Sequence, residues 1–404
     1  MTCSNSAVAQ TTAQPVAIVS KKITTREALD AYDTESETWQ KAMGRRFTDP
    51  SQLVGILNNV EVVGPEVMNF FDFRLSPYLV QLMDRDDPNC PIRLQYMPTN
   101  RETVVKDYEI GDSLGEDASI HGEGSSVVHR YPNRVLFLVQ NTCLAYCRYC
   151  TRKRLVSNTD RTIKRDMIDE GINYIKNHPE VQDVLLSGGD PLILPDAKLD
   201  EILGRIRAEC PHVKFLRIGS RLPVQMPTRI TQELCDILEK HDVQMLNIHI
   251  NHAKEITPLL TQRLKMVRKA GVMLGNQTVL LRGVNDSVEA LRDLFMGCVE
   301  IGVRPTYVYS DDNAEANWQF TVPYSRMLEL YHGVRGHISG PATPVFIVDG
   351  MGGLGKMPVQ PEYVKIHENG EVWGTNYAGK TARQINLEDS VDRANFNPDG
   401  SPIL

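Results

Sequence analysis

The sequence predicts an α/β fold: an incomplete (β/α)6 barrel, preceded by a helical N-terminal region and followed by a C-terminal glycine-rich extension. Three observations predict it. Short β-branched runs alternate with amphipathic segments from residue 135 to residue 309, the pattern of parallel strands joined by right-handed helical crossovers. The first hundred residues lack that alternation and carry helical apolar spacing instead. The last strand-like run, 344–349, enters the turn Gly350-Met351-Gly352-Gly353-Leu354-Gly355, whose glycines free the backbone to bend.

Composition narrows the class further. At 404 residues the chain is long enough for two domains or one barrel with appendages. Hydrophobic residues make up 41% and charged residues 24%, which excludes wholesale disorder. Lys+Arg 44 against Asp+Glu 51 leaves a net charge of −7, and without a long basic block the chain is not expected to bind nucleic acid. No run of about 18 apolar residues exists to span a membrane. Eight cysteines are too few for a disulfide scaffold, and cytoplasmic location is the expectation.

Taken in order, residues 1–23 are Ser/Thr/Ala/Gln-rich without the apolar core of a secretory signal, and read as a flexible tail. Residues 24–126 form the helical region, with helices expected at 25–32, 49–57 and 64–83. Strands are expected at 135–139, 181–187, 213–218, 243–250, 272–281 and 305–309. Helices are expected between them at 165–177, 199–209, 231–240, 254–270 and 288–301. The barrel therefore occupies 127–312, with its working face at the C-terminal edge of the strands. Residues 313–380 hold the glycine-rich extension, and 381–404 an extended polar arm.

The strongest chemical signal is Cys143-Leu-Ala-Tyr-Cys147-Arg-Tyr-Cys150, directly after the first strand. Three thiolates so spaced can wrap one corner of an iron–sulfur cube and leave one iron open. The alternative, structural zinc, usually requires four Cys/His ligands. Other motifs read modestly from the residues alone. Ser187-Gly188-Gly189-Asp190 is a strand-to-helix turn where bare backbone approaches a partner closely, and Lys356 ends a glycine-rich loop. Arg148, Arg152, Lys153 and Arg154 form a solvated basic patch, and His249, Asn251 and Gln277 are polar groups near strand ends.

Three cysteines in C-x3-C-x2-C spacing after the first strand of such a barrel resemble the radical S-adenosylmethionine superfamily. The resemblance narrows to the lysine 2,3-aminomutase family through His129-Arg130-Tyr131-Pro132-Asn133-Arg134, Leu186-Ser187-Gly188-Gly189-Asp190-Pro191 and Arg217-Ile218-Gly219-Ser220-Arg221. Asn276-Gln277 with Arg282-Gly283-Val284-Asn285-Asp286, and Asp349 with Gly355-Lys356-Met357-Pro358, extend it. It covers about residues 35–377 in the family's order.

The resemblance implies a radical-SAM-type barrel and a [4Fe-4S] cluster on Cys143, Cys147 and Cys150. It implies S-adenosylmethionine received at Ser187, Gly188, Gly189 and Asp190, and cofactor contacts from His249 and Gln277. Pyridoxal 5′-phosphate (PLP) would be held by Arg130, Tyr131 and Arg134 and joined to Lys356 as a Schiff base. Arg152 would clamp the substrate α-carboxylate, and Asp312 and Asp349 the distal cation. The implied reaction moves the α-amino group of a basic amino acid to Cβ, with L-lysine giving β-lysine. L-arginine giving β-arginine is one alternative, since a guanidinium also fits carboxylate forks; a non-catalytic iron–sulfur protein is another. The implied partners are an electron donor such as flavodoxin or ferredoxin and further copies of the chain in a homo-oligomer.

Three departures stand out. The family's Ala-Pro-Gly-Gly-Gly-Gly before the lysine is Gly350-Met351-Gly352-Gly353-Leu354-Gly355 here. Residues 313–321 differ from the lysine enzymes. Ser287 replaces a zinc-ligating cysteine and no cysteine follows Cys298, so structural zinc is not expected.

Overall fold

The computed structural model describes residues 23–117, 126–156 and 162–385. All but the last residue of the expected tail at 1–23 and most of the arm at 381–404 therefore lie outside the described residues.

The N-terminal region is helical but more broken than its apolar spacing predicts. Its helices are α1 (Arg26–Asp30), α2 (Trp39–Gly44), α3 (Pro65–Phe70), α4 (Pro77–Leu82) and α5 (Pro91–Tyr96). The single helix expected over 64–83 is split: α3 ends where Phe71 turns extended, and Pro77 bars Ser76 from helical geometry. Ser76 sits extended and caps α4, its side chain accepting from Leu79 N. The helix expected at 49–57 shrinks to one turn, Pro50–Leu53, before Gly55 turns away at φ +89°. Leu29, Phe47, Leu53, Leu79, Ile92 and Tyr96 bury into one core that also contains Ala145 of the cysteine loop.

The main sheet has nine strands in sequence order. They are β1 (Val127–Tyr131), β2 (Arg134–Gln140), β3 (Asp183–Gly188), β4 (Phe215–Gly219), β5 (Met245–Ile248), β6 (Met273–Leu280), β7 (Arg304–Ser310), β8 (Val345–Gly350) and β9 (Gly355–Pro358). From β2 to β8 every neighbour is parallel. Antiparallel β1 and β9 close the two ends. The parallel run thus has seven strands rather than six, because 345–350 joins the barrel beside β7. Among the described residues no ladder joins β1 to β9, so the barrel is open.

The crossover helices α6 (Arg165–Lys176), α7 (Asp196–Glu209), α9 (Gln232–Lys240), α10 (Pro258–Lys269), α11 (Val288–Glu300) and α12 (Tyr324–Val334) cover the sheet, with the short α8 (Leu222–Gln225) after β4. Each long helix buries one apolar stripe; Ile168, Ile172 and Ile175 of α6 are an example. These stripes and the helix-facing side chains of the strands, such as Val184, Leu186, Leu216 and Ile218, make one continuous core, while alternate strand residues such as Leu185, Arg217 and Tyr307 face the barrel interior. A separate antiparallel sheet follows: β10 (Val364–Ile366), β11 (Val372–Thr375) and β12 (Thr381–Gln384).

Candidate active site

A cavity of about 430 Å³ opens at the C-terminal edge of the parallel strands and is lined by every residue to which the resemblance assigns a cluster, cofactor or substrate contact. The cysteine loop leaves β2 and presents Cys143, Cys147 and Cys150 to it as free thiols. Burial, then Asp190 and the neighbouring cysteines, push the Cys143 thiol well up. Burial and Cys147 push Cys150 up to about 11. Crowded buried thiols ionise readily only against a cation, and a bound metal centre inverts that penalty. Among the described residues no three His, Cys, Asp or Glu side chains converge as a single ion would require. A cube needs no such convergence, because each thiolate meets a different iron. Donors aim at the sulfurs as well: Arg221 Nη1 lies 2.7 Å from Cys147 Sγ, and Arg152 N lies 3.4 Å from Cys150 Sγ. The donor set fits the cluster.

Arg221 is buried, and sequence reasoning assigned it no role. Its Nη2 donates to Gln95 Oε1 at 2.5 Å and Glu255 Oε1 at 2.9 Å, and Nη1 also reaches the Tyr149 hydroxyl. These partners lie 34 to 126 positions away in the chain, so no local spacing reveals them.

The Gly-Gly-Asp motif ends β3 against the cysteine loop. Gly188 has φ +130°, and a Cβ there would stand 1.9 Å from Gln140 O. Gly189 N donates to Gln140 O at 2.6 Å and Asp190 N to Thr142 O at 2.9 Å. The close approach that requires glycine is therefore to the strand leading into Cys143. Asp190 lines the cavity and is held by four donors of the chain. One carboxylate oxygen accepts from Ser220 Oγ and Leu192 N, the other from Arg221 N and Leu222 N. Burial raises its pKa while those donors pull it down, and four donors fill the carboxylate's capacity. It holds the start of α8.

Arg130, Tyr131, Arg134, Asp312, Asp349 and Lys356 line the same cavity. Tyr131 and Arg134 are cross-strand partners around the Pro132-Asn133 turn, the guanidinium 3.8 Å from the ring centroid. Arg130 donates to Leu114 O, while its buried Nε has no partner among the described residues. Asp349 and Lys356 face one another across β8 and β9, with Lys356 Nζ 3.1 and 3.2 Å from the two carboxylate oxygens. Lys356 N donates to the Tyr131 hydroxyl at 3.0 Å. Gly355 packs so close to that hydroxyl, at φ +85°, that a Cβ would lie 2.7 Å from it. An arginine with an unused buried nitrogen beside a reachable lysine is a donor set that fits pyridoxal phosphate.

Burial, then Asp349, push Asp312 up to about 7, and Lys356 pulls it back only in part. Asp311, the third acid of that stretch, bonds instead to Asn317 and Thr321. His249 lines the cavity, its Nε2 3.1 Å from Asn251 Oδ1 and 3.3 Å from the Tyr149 hydroxyl. Burial and Arg221 push its pKa well down, so the ring is neutral. Gln277 also faces the cavity, whereas Asn251 is fully buried and serves the frame.

The solvated basic patch is overturned. Arg148 is fully buried and fork-bonded to Glu102, Nε at 3.0 and 3.1 Å and Nη2 at 2.5 Å. Lys153 donates to Asn317 Oδ1 at 2.7 Å, and burial pushes its pKa down to about 8. Arg154 pairs with Asp112 and Asp117. Arg152 pairs with Glu116, another residue no motif marked.

An open parallel barrel with a three-cysteine loop after its first parallel strand is the frame of a radical S-adenosylmethionine enzyme. Residues 137–295 match the Radical SAM superfamily model and 331–395 the Lysine-2,3-aminomutase model; that superfamily carries a 4Fe-4S cluster and S-adenosylmethionine. L-lysine 2,3-aminomutase of Fusobacterium nucleatum is 45% identical over 76% of this chain and 71% of its own. That of Clostridium subterminale is 40% identical over 87% and 84%. Glutamate 2,3-aminomutase of Clostridioides difficile is 34% identical over 88% and 83%. The chain belongs to the lysine 2,3-aminomutase family. It is an isomerase, a radical 2,3-aminomutase acting on an amino acid.

Proposed function

We infer that the chain converts L-lysine to β-lysine, with pyridoxal 5′-phosphate as its third cofactor. The observation that carries this reading is the pair of carboxylates, Asp312 and Asp349, in one cavity with Arg152 and Lys356. Two acids enclosed with the one ammonium of Lys356 favour a side chain ending in a cation, since an uncharged or anionic one leaves an acid without its counter-charge. The higher identity to the lysine enzymes than to the glutamate enzyme supports the same choice.

The chain's own groups then have distinct tasks. Arg152 orients the α-carboxylate, while Asp312 and Asp349 hold the ε-ammonium. Asp349 is already paired with the ammonium of Lys356, so arrival of cofactor and substrate exchanges one ammonium for another at the same carboxylate. Arg130, Tyr131 and Arg134 hold the cofactor phosphate. The thiolates of Cys143, Cys147 and Cys150 hold the cluster, and Ser187, Gly188 and Gly189 line the S-adenosylmethionine ledge beside it, with His249 and Gln277 as further contacts. When bound, cluster and S-adenosylmethionine supply the hydrogen-abstracting radical and pyridoxal phosphate the carbon that carries nitrogen from Cα to Cβ. Enclosure keeps water from that radical.

The reading extends to a low-potential donor of the flavodoxin or ferredoxin kind, a homo-oligomer, and the reducing cytoplasm. The free state of every described cysteine supports that compartment, and no helix of the described residues is long and apolar enough to cross a membrane. It divides the chain into a helical region (24–126), the barrel (127–312) and a PLP-lysine and substrate region (313–380), whose β8 adds the seventh parallel strand to the barrel.

Borohydride reduction of the protein loaded with pyridoxal phosphate, followed by peptide mass analysis, tests the reading. The label is expected on Lys356. Lys356→Ala is expected to abolish β-lysine formation while iron content and reductive S-adenosylmethionine cleavage persist. A label on another lysine, or an active Lys356→Ala variant, contradicts it.

A further inference from the structure

Glu116 has surroundings that folding alone does not explain. It is 3% exposed, at the end of a turn beginning at Asp112. Among the described residues, the donor to its carboxylate is Arg152: Nε lies 3.1 and 2.9 Å from the two oxygens, and Nη2 lies 2.6 Å from one. Burial raises the Glu116 pKa and Arg152 more than reverses this, so it is ionised. The remaining nitrogen, Nη1, has only long contacts among the described residues, 3.5 Å to Ser187 Oγ and 3.4 Å to Gly188 O. A guanidinium offers more than one edge to carboxylates. Here one edge is taken from within the chain, and the other points at the ledge beside the cluster.

An incoming substrate carboxylate would either displace Glu116 or accept what is left. Displacement strands a buried carboxylate without its cation, a penalty of roughly a hundredfold or more in the equilibrium. The exchange returns no stronger bond, because one carboxylate merely replaces another. Arg152 therefore keeps Glu116. The same turn binds two further arginines: Leu114 O accepts from Arg130, and Asp112 pairs with Arg154. It is tied at three points, which makes it a firm support.

We propose that Glu116 is a positioning residue: it locks Arg152 by the Nε–Nη2 edge so that Nη1 is presented to the α-carboxylate, which selects amino acids over amines lacking that group. This rests on the reading of Arg152 as the carboxylate anchor.

The test compares the holoenzyme with its Glu116→Gln, Glu116→Asp and Arg152→Lys variants. It measures kcat and KM for lysine, and the inhibition constant of 1,5-diaminopentane, which is lysine without its carboxylate. Glu116→Gln is expected to raise KM at least tenfold, with kcat falling no more than threefold and the diamine constant moving less than twofold. Glu116→Asp, which keeps the charge but shortens the reach, is expected to fall between and carries the same test if the Gln variant does not fold. An unchanged KM, a lowered KM, or a KM and diamine constant rising together overturns the proposal. If Arg152→Lys leaves the preference for lysine over the diamine intact, the anchor assignment itself fails. If the preference collapses there but survives in Glu116→Gln, only the role of Glu116 is lost.

Discussion

Asp312 takes its acidity from its neighbours: burial first, then the like charge of Asp349, bring it to about 7. A substrate cation binds its ionised form. Below pH 7 binding must expel a proton, so the KM for lysine is expected to rise as pH falls, by up to tenfold per unit, and to level off above 7. Asp349→Asn removes the like charge and is expected to shift that limb to lower pH. A KM flat from pH 5.5 to 8.5 contradicts the assignment. The cluster cysteines Cys143, Cys147 and Cys150 stand out in the sequence by their local spacing, whereas Asp349 and Lys356, seven positions apart, are singled out only by resemblance to the family. Glu116 was not legible: its partner Arg152 stands 36 positions away across residues of another element. Nor were Arg148, Lys153 and Arg154, four charges in seven residues with Arg152, which look solvated until the fold brings Glu102, Asn317 and Asp112 to them.

Among the elements, strands with β-branched runs and helices with one apolar stripe were legible to within a few residues. Those bounded by unusual turns were not. The hairpin partner β1 escaped because Pro132-Asn133 hides the turn that pairs Tyr131 with Arg134. β9 escaped because its four residues follow glycines and hold little apolar pattern. Both matter: β1 carries Arg130 and Tyr131, β9 carries Lys356, and each seals one end of the open barrel over the cavity. The turn ending β3 is the most constrained of the site. Gly188→Ala would set a methyl 1.9 Å from Gln140 O in a backbone conformation that L-residues avoid. The variant is expected to lose about 3 kcal/mol or more and to incorporate less iron, because Gln140 leads directly to Cys143. Chemical unfolding and iron analysis check this; wild-type stability and iron content contradict it.

For the whole molecule, the helical region and the barrel meet on the cysteine loop. Tyr146 N donates to Arg74 O, Arg148 N to Gln95 O, and the Arg148 guanidinium to Asp72 O at 2.8 Å. The loop is thus held from behind by the N-terminal core and from the side by the Gly-Gly-Asp turn, which presents three thiols to one cavity. That convergence of cluster cysteines, backbone ledge, arginine anchor, paired acids and lysine supports a radical aminomutase whose substrate ends in a cation. The most direct measurement is anaerobic turnover of the reconstituted protein with dithionite, S-adenosylmethionine and pyridoxal phosphate, with lysine, arginine and glutamate competing in one vessel and products resolved by mass. The account predicts β-lysine as the dominant product, lost in Asp312→Asn. β-Glutamate or β-arginine in its place, or no β-amino acid despite S-adenosylmethionine cleavage, contradicts it.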